Sequence, residues 1–155
     1  MKEYIIRVNP CPKPRATQRD KWKPSKAVQK YYGFRKELLL RARIEGIRDL
    51  PAAVGFIFEI PMPPSWSNAK RDRMRGQVHQ QKPDLDNLIK AIKDAFTYKR
   101  HVDDSYVCTY LFAQKIWADE GKVRLIESTP EGKSVGRALM DLITKIFTRA
   151  GLLNG

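Results

Sequence analysis

The 155-residue sequence predicts an α+β (mixed α/β) fold, a single layer domain in which a central mixed sheet of about four strands is packed by helices in the order β-α-β-α-β-β-α. Three observations lead there. Short apolar runs with strand character alternate with longer stretches whose apolar residues recur at helical spacing. No internal repeat divides the chain. With 42% hydrophobic residues, the chain is long enough to close one core and too short for two good ones, so residues 1–155 read as one domain.

Residues 3–8 form the first strand, which Asn9-Pro10 stops, and a rigid, basic, proline-rich loop follows as far as Pro14. Ser25 caps a helix over 26–44, where Tyr31, Phe34, Leu38 and Ala42 share one face and Lys30, Arg35, Lys36, Arg41 and Arg43 occupy the others. Residues 53–60 make a second strand, ended by Pro61, Pro63 and Pro64, which lack backbone donors. The polar stretch from Ser65 to Gln81 reads as a mobile arm or a short helix, with Trp66 as a residue that either packs or stacks on an opened base. From Leu85 onward, Leu88, Ile89, Ile92 and Phe96 mark one apolar face of a helix ending near Thr97. A strand over about 105–117 is apolar on both faces for much of its length, the pattern of a central strand covered by helices. Lys122–Ile126 suggests another strand, and Leu139, Leu142, Ile143, Ile146 and Phe147 a last helix over about 134–150.

No run of about 18 apolar residues occurs, and the amino-terminal residues place Glu3 and Arg7 where a signal peptide needs an unbroken apolar stretch. A cytoplasmic protein without membrane partners is expected. Cys11 and Cys108 form at most one bridge, so reduced thiols are the default. With His79 and His101 they match the count of a zinc site but lack its paired spacing.

Charge is more informative. Thirty Lys and Arg against 17 Asp and Glu leave +13, which points to a polyanionic partner. The excess is uneven, +9 over residues 1–50 but −1 over 81–120. A basic surface with a local acidic focus suits an enzyme that binds phosphates and holds divalent cations against them.

The acidic focus is Lys82-Pro83-Asp84-Leu85-Asp86-Asn87-Leu88-Ile89-Lys90, followed by Asp103-Asp104. Two apart, Asp84 and Asp86 point to the same side in extended chain, which places them at a strand-like start to a helix over 87–97 with one of them as its cap. Asp104 arrives at the first position of the next strand. Gathered carboxylates repel unless a cation lies between them, and oxygen ligands without nearby His or Cys favour magnesium or manganese. Lys90, one turn below Asp86, is placed to neutralise a carboxylate or a scissile phosphate, or simply to pair with Asp86. Asp94 pairs with Lys90 or water. Spacing alone leaves open a structural alternative, a capping aspartate plus a solvated Asp-Asp turn. No EF-hand loop, phosphate-cradling GxxxxGK[ST] or GxSxG elbow is present.

The run KPDLDNLIKAIKDAF followed by DDSYV resembles the signature of the RusA family of Holliday junction resolvases, and the upstream stretches PRATQRDKWKPSKAVQKYYGFRKEL and PMPPSWSNAKRDRMRGQVHQQKPD resemble its phage-type branch. The resemblance implies a magnesium-dependent endodeoxyribonuclease that acts in DNA recombination and repair. It would be a homodimer without a small-molecule cofactor, resolving four-way or branched DNA by paired symmetric nicks. It assigns Asp84, Asp86 and Asp104 as catalytic carboxylates and metal ligands, Lys90 as the catalytic lysine, and Asp103 as an adjacent helper at the metal. The interval to Asp103-Asp104 is one residue shorter than in some relatives, and Lys115 falls about one residue late for the family's strand lysine. Lys13, Arg15, Arg19 and Lys82 are the candidates for DNA phosphate contacts. The rival readings are another branched-DNA or flap metal nuclease, and a non-catalytic DNA-binding protein.

Overall fold

A computed structural model of the chain describes residues 1–100 and 103–128, the side chain of Asp104 excepted; the helix expected over 134–150 and His101 lie outside the described residues. The elements are β1 (Lys2–Ile6), α1 (Lys26–Ile44), β2 (Ala53–Pro61), α2 (Asn68–Met74), α3 (Leu85–Thr97), β3 (Thr109–Ala118) and β4 (Lys122–Glu127), with 3-10 turns at Gln18–Lys21 and Asp104–Tyr106. They form one mixed four-stranded sheet in the order β1-β4-β2-β3. β4 runs antiparallel to both β1 and β2, while β3 lies parallel to β2.

The helix starts follow local rules. Ser25 Oγ accepts the Val28 N–H at 3.4 Å and opens α1, and Ser67 Oγ accepts the Lys70 N–H at 3.3 Å and opens α2. Val54, Phe56, Phe58 and Ile60 of β2 join Ile6, Val123 and Leu125 in one buried cluster with Tyr31, Phe34 and Leu38 of α1 and Leu88, Ile92 and Phe96 of α3. The two helices touch each other as well, through Tyr31, whose hydroxyl donates to Ala91 O at 3.3 Å.

One expectation needs correction. β3 is an edge strand of the sheet rather than a central one, and the strand buried along nearly its whole length is β2. Much of β3 is half-buried, with Tyr110 48% exposed, so its apolar run reflects partial cover and not a place in the middle. Of the two readings of Ser65–Gln81, the short helix holds as α2, and the stretch after it is not loose. It lies along the outer side of β3, where Gly76 N–H donates to Trp117 O at 2.8 Å, Trp117 N–H to Gln77 O at 2.9 Å and His79 N–H to Lys115 O at 2.9 Å. Those bonds satisfy backbone groups that an edge strand would otherwise leave to water.

A bulge positions the site. Along the β2/β3 pair, Val54 faces Tyr110 but Phe56 faces Ala113, so Gly55 stands opposite both Leu111 and Phe112. A Cβ on residue 55 would lie 2.7 Å from Phe112 Cζ, which is why glycine fits there. The extra residue resets the alternation of β3, so that Lys115, paired with Phe58, and Trp117, paired with Ile60, face the helix layer. Without it, Gln114 and Ile116 would occupy that face.

Candidate active site

α3 begins at Leu85, two residues earlier than spacing suggests, so Asp86 is already helical and only Asp84 keeps extended backbone (φ −69°, ψ 143°). Pro83 just outside the helix and the extended Asp84 complete the stop, leaving the helix to start at the first residue after them. Asp84 O accepts the Leu88 N–H at 3.2 Å, yet the Asp84 carboxylate accepts no capping hydrogen bond. The ordinary structural use of an aspartate at this position is therefore not exercised. Asp84 and Asp86 both stand exposed at the positive end of α3, and neither has an ion-pair partner among the described residues.

Asp86 lines a cleft of about 290 Å³ together with Ile89, Lys90, Lys93 and Tyr110. Lys90 lies one turn along the same wall and forms no ion pair with Asp86, which leaves its ammonium exposed to the cleft. Tyr110 supplies the wall from β3, its ring set edge-on to Phe56 at 5.8 Å between centroids, with Lys93 Nζ 5.9 Å from the Tyr110 centroid. An open cleft with a carboxylate at one end and ammonium groups along one wall has the charge pattern of a phosphodiester site.

Asp103 and Asp104 precede β3 rather than opening it: Asp104 begins the 3-10 turn that ends at Tyr106, ahead of Thr109. Asp103 Oδ1 accepts the Ser105 N–H at 2.8 Å and so holds that turn. It lines a second, tighter cavity with Lys93, Phe96, Thr97 and Tyr106. Lys93 borders both cavities and thus stands between Asp86 and the Asp103 turn. Among the described residues no three potential metal-ligating side chains gather. Asp84 and Asp86 nonetheless suit a hard divalent ion in chemistry, being exposed carboxylates with no structural partner. A zinc arrangement has no basis among the described residues, since Cys11 is buried in the core, Cys108 is exposed at the start of β3 and His79 packs on Trp117 at 4.1 Å between ring centroids. Burial first, and then the Lys115 charge, pushes the His79 imidazole pKa down.

Lys115 bolts the Asp84 segment to the sheet. Its ammonium donates to Pro83 O at 2.5 Å and also to Gln81 O. Lys115→Met should leave two carbonyls without that donor and loosen the approach to Asp84. Since a displacement of about 1 Å costs as much as a hundredfold in rate, we expect cleavage to fall about 10- to 100-fold at unchanged DNA affinity. Single-turnover rates beside binding in EDTA check this; an equal loss of both would refute it.

The basic residues divide. Lys13 is half-buried, its ammonium ion-paired with Asp94 and its N–H donating to Asn87 O at 3.2 Å, so it fastens the amino-terminal loop to α3. Asp94 therefore pairs with Lys13 and not with Lys90. Arg15, Arg19 and Lys82 are exposed. The same loop contains Asp20, whose carboxylate accepts the N–H and hydroxyl of Thr17 at 2.7 and 2.8 Å and the N–H of Ser25 at 2.7 Å. The backbone N–H groups of Thr17 first and Ser25 second hold its pKa down to about 2, below the usual 3.8. A carboxylate lowered by folding stabilises the loop above 3.8 and loses that effect as pH falls toward about 2. We expect the loop to loosen in that window, read as a fall in the fluorescence anisotropy of Trp22, and Asp20→Asn to abolish the pH dependence.

Trp66 is half-buried with its ring 4.8 Å from that of Trp117, a packing position. Sequence reasoning passed over Lys93, Tyr110 and Trp22. Trp22 had a detectable signal, an aromatic flanked by Lys21 and Lys23 with no apolar partner at helical or strand spacing. Lys93 and Tyr110 had none, because only the packing of α3 on β3 brings them together.

Comparison with known proteins matches residues 7–126 to the family described as endodeoxyribonuclease RusA. A relative in Bacillus subtilis (strain 168), the uncharacterized protein YqaN, is 34% identical over 70 residues, 43% of this chain and 49% of that protein. The match thus spans about half the length of that curated relative.

Proposed function

The chain belongs to the RusA endodeoxyribonuclease family, and on that premise we propose that it resolves four-way (Holliday) junctions and related branched DNA by paired symmetric phosphodiester hydrolysis, in recombination and repair. The observation that carries this reading is the start of α3, where Asp84 and Asp86 are spent on neither capping nor pairing and Asp86 lines a cleft edged by Lys90 and Lys93.

Asp84, Asp86 and Asp104, with Asp103 beside them, would hold Mg²⁺ or Mn²⁺. When bound, such an ion supplies Lewis acidity that stabilises charge building on a phosphoryl oxygen. The chain supplies the rest. The carboxylates orient the incoming water, the Lys90 ammonium offsets charge on the scissile phosphate, and Lys115 keeps the Asp84 segment in place. Arg15, Arg19 and Lys82 contact flanking phosphates, with Lys13 holding the loop that presents the two arginines. A homodimer places two copies of the site across the two-fold axis of a junction. The compartment proposed is the cytoplasm; no described helix is long and apolar enough to cross a membrane.

The test is cleavage of an immobile four-way junction with and without Mg²⁺, mapped on all four strands beside flap and duplex substrates. Paired symmetric cuts that require the metal are expected. Preference for flaps would replace the resolvase reading with another branched-DNA nuclease, and tight binding without cleavage would favour a non-catalytic DNA-binding protein. Arg15→Ala is expected to weaken junction binding and to reduce the slope of log affinity against log salt by about one. An unchanged slope would remove Arg15 from the phosphate contacts.

A further inference from the structure

We propose that Trp22 is a base-stacking residue, its indole lying against an unpaired nucleobase of branched DNA while the cations around it hold the adjoining phosphates. The proposal rests on the branched-DNA reading above and adds to it a subsite outside the cleft.

Of the three tryptophans, Trp66 and Trp117 pack against each other, whereas Trp22 is 91% exposed. Folding gains almost nothing from an indole left in water, so its presence calls for another cause. Single exposed apolar side chains are common, and exposure alone would prove little. Trp22, however, is held in place. Its backbone N–H donates to Arg19 O at 3.1 Å, and the Lys23 backbone N–H donates to the same oxygen at 2.9 Å. Asp20, next but one in the chain and buried, ties this turn to Thr17 on one side and to Ser25, the cap of α1, on the other. A rigid backbone presenting a bare aromatic face has already met the ordering cost that stacking would otherwise incur.

The surroundings select the ligand. From residue 15 to residue 30 the chain carries Arg15, Arg19, Lys21, Lys23, Lys26 and Lys30 against one acid, Asp20, whose oxygens are occupied. Cations flanking one exposed aromatic residue along the chain match a nucleic-acid strand, in which phosphates alternate with flat bases. A lipid surface would require an apolar face around the indole, and the near neighbours of Trp22 in sequence are Arg19, Asp20, Lys21, Lys23 and Pro24. In intact duplex the base faces are already stacked, so an indole face finds its partner where the stack is interrupted, as at a branch point. The loop is in the right neighbourhood for this. Lys13 N–H donates to Asn87 O, on the residue after Asp86, and Tyr31, two turns into α1, donates to Ala91 O of the same helix.

The experiment measures binding in EDTA, where no cleavage occurs, for the parent chain, Trp22→Ala and Trp22→Phe, on a four-way junction with 2-aminopurine at the branch point and on a duplex of the same sequence. The alanine variant should bind the junction about 5- to 150-fold more weakly, with duplex affinity changed less than about twofold, and phenylalanine should restore most of the loss. The 2-aminopurine signal should respond to the parent chain and not to Trp22→Ala. Equal losses on both DNAs, no loss on either, or failure of phenylalanine to restore binding would overturn the proposal. So would Trp22-dependent binding to anionic phosphatidylglycerol vesicles without an effect on DNA, which would assign the indole to a membrane. Cleavage by the parent chain in Mg²⁺ is scored separately: its absence would sink the nuclease reading, while the EDTA comparison still decides the role of Trp22.

Discussion

Asp84→Asn is expected to lower junction cleavage by on the order of a hundredfold or more while junction binding stays within about twofold of the parent chain. Replacing the carboxylate by an amide removes a hard anionic oxygen from the start of α3 and changes little else. Asparagine is as good as aspartate at a helix N-cap, and the Asp84 side chain makes no cap hydrogen bond to lose. The exposed position also makes a folding defect unnecessary, so the thermal midpoint should move by no more than about 2 °C. On the surface proposed to meet DNA, removing a negative charge favours binding. The same division is expected for Asp86→Asn and Asp104→Asn. Single-turnover cleavage with Mg²⁺, binding in EDTA and thermal unfolding together decide the matter. Retained cleavage would remove Asp84 from the proposed metal site, and loss of binding in a folded variant would break the proposed separation between metal ligands and DNA contacts.

Phe58→Ala is expected to destabilise the fold by about 3–5 kcal/mol, a drop in thermal midpoint of roughly 6–20 °C. Phe58 is fully buried on β2, a strand paired on both sides, and its ring lies parallel to that of Phe56 with centroids 6.0 Å apart. Cutting it to alanine loses the transfer free energy of the ring and leaves a hole in the buried cluster that β2 shares with α1 and α3, whose packed side chains collapse into it only in part. Against a total stability of about 5–15 kcal/mol, one side chain would then account for roughly a fifth or more. Urea unfolding measures this directly; a loss below about 1 kcal/mol would mean that the sheet and helix layer are packed less tightly than the fold implies.

These two residues also illustrate what can be read before folding is considered. The faces of α1 and α3 follow from Tyr31, Phe34 and Leu38 and from Leu88, Ile92 and Phe96 at helical spacing, and Ser25 marks the start of α1. The strands at Lys2–Ile6, Ala53–Pro61 and Lys122–Glu127 lie where short apolar runs end at prolines or polar residues. Spacing misleads at β3, because a period reports which side of a strand is apolar and not which strand lies beside it. The contact of residues 76–79 with β3 carried no strand signature at all, since backbone bonding is blind to side-chain pattern.

The chain's chemistry was decided locally: a strong positive charge, carboxylates at 84 and 86 on either side of a helix start, an ammonium at 90, and a tryptophan among lysines, all of which depend only on residue type and near neighbours. What that chemistry can reach was decided by long-range pairing. The bulge opposite Gly55 turns Lys115 toward Pro83, and the packing of α3 on β3 sets Tyr110 across from Asp86 and Lys90. Such distances join residues tens of positions apart, and they are set by burial and sheet register summed over the whole domain, for which no short stretch of sequence carries a sign.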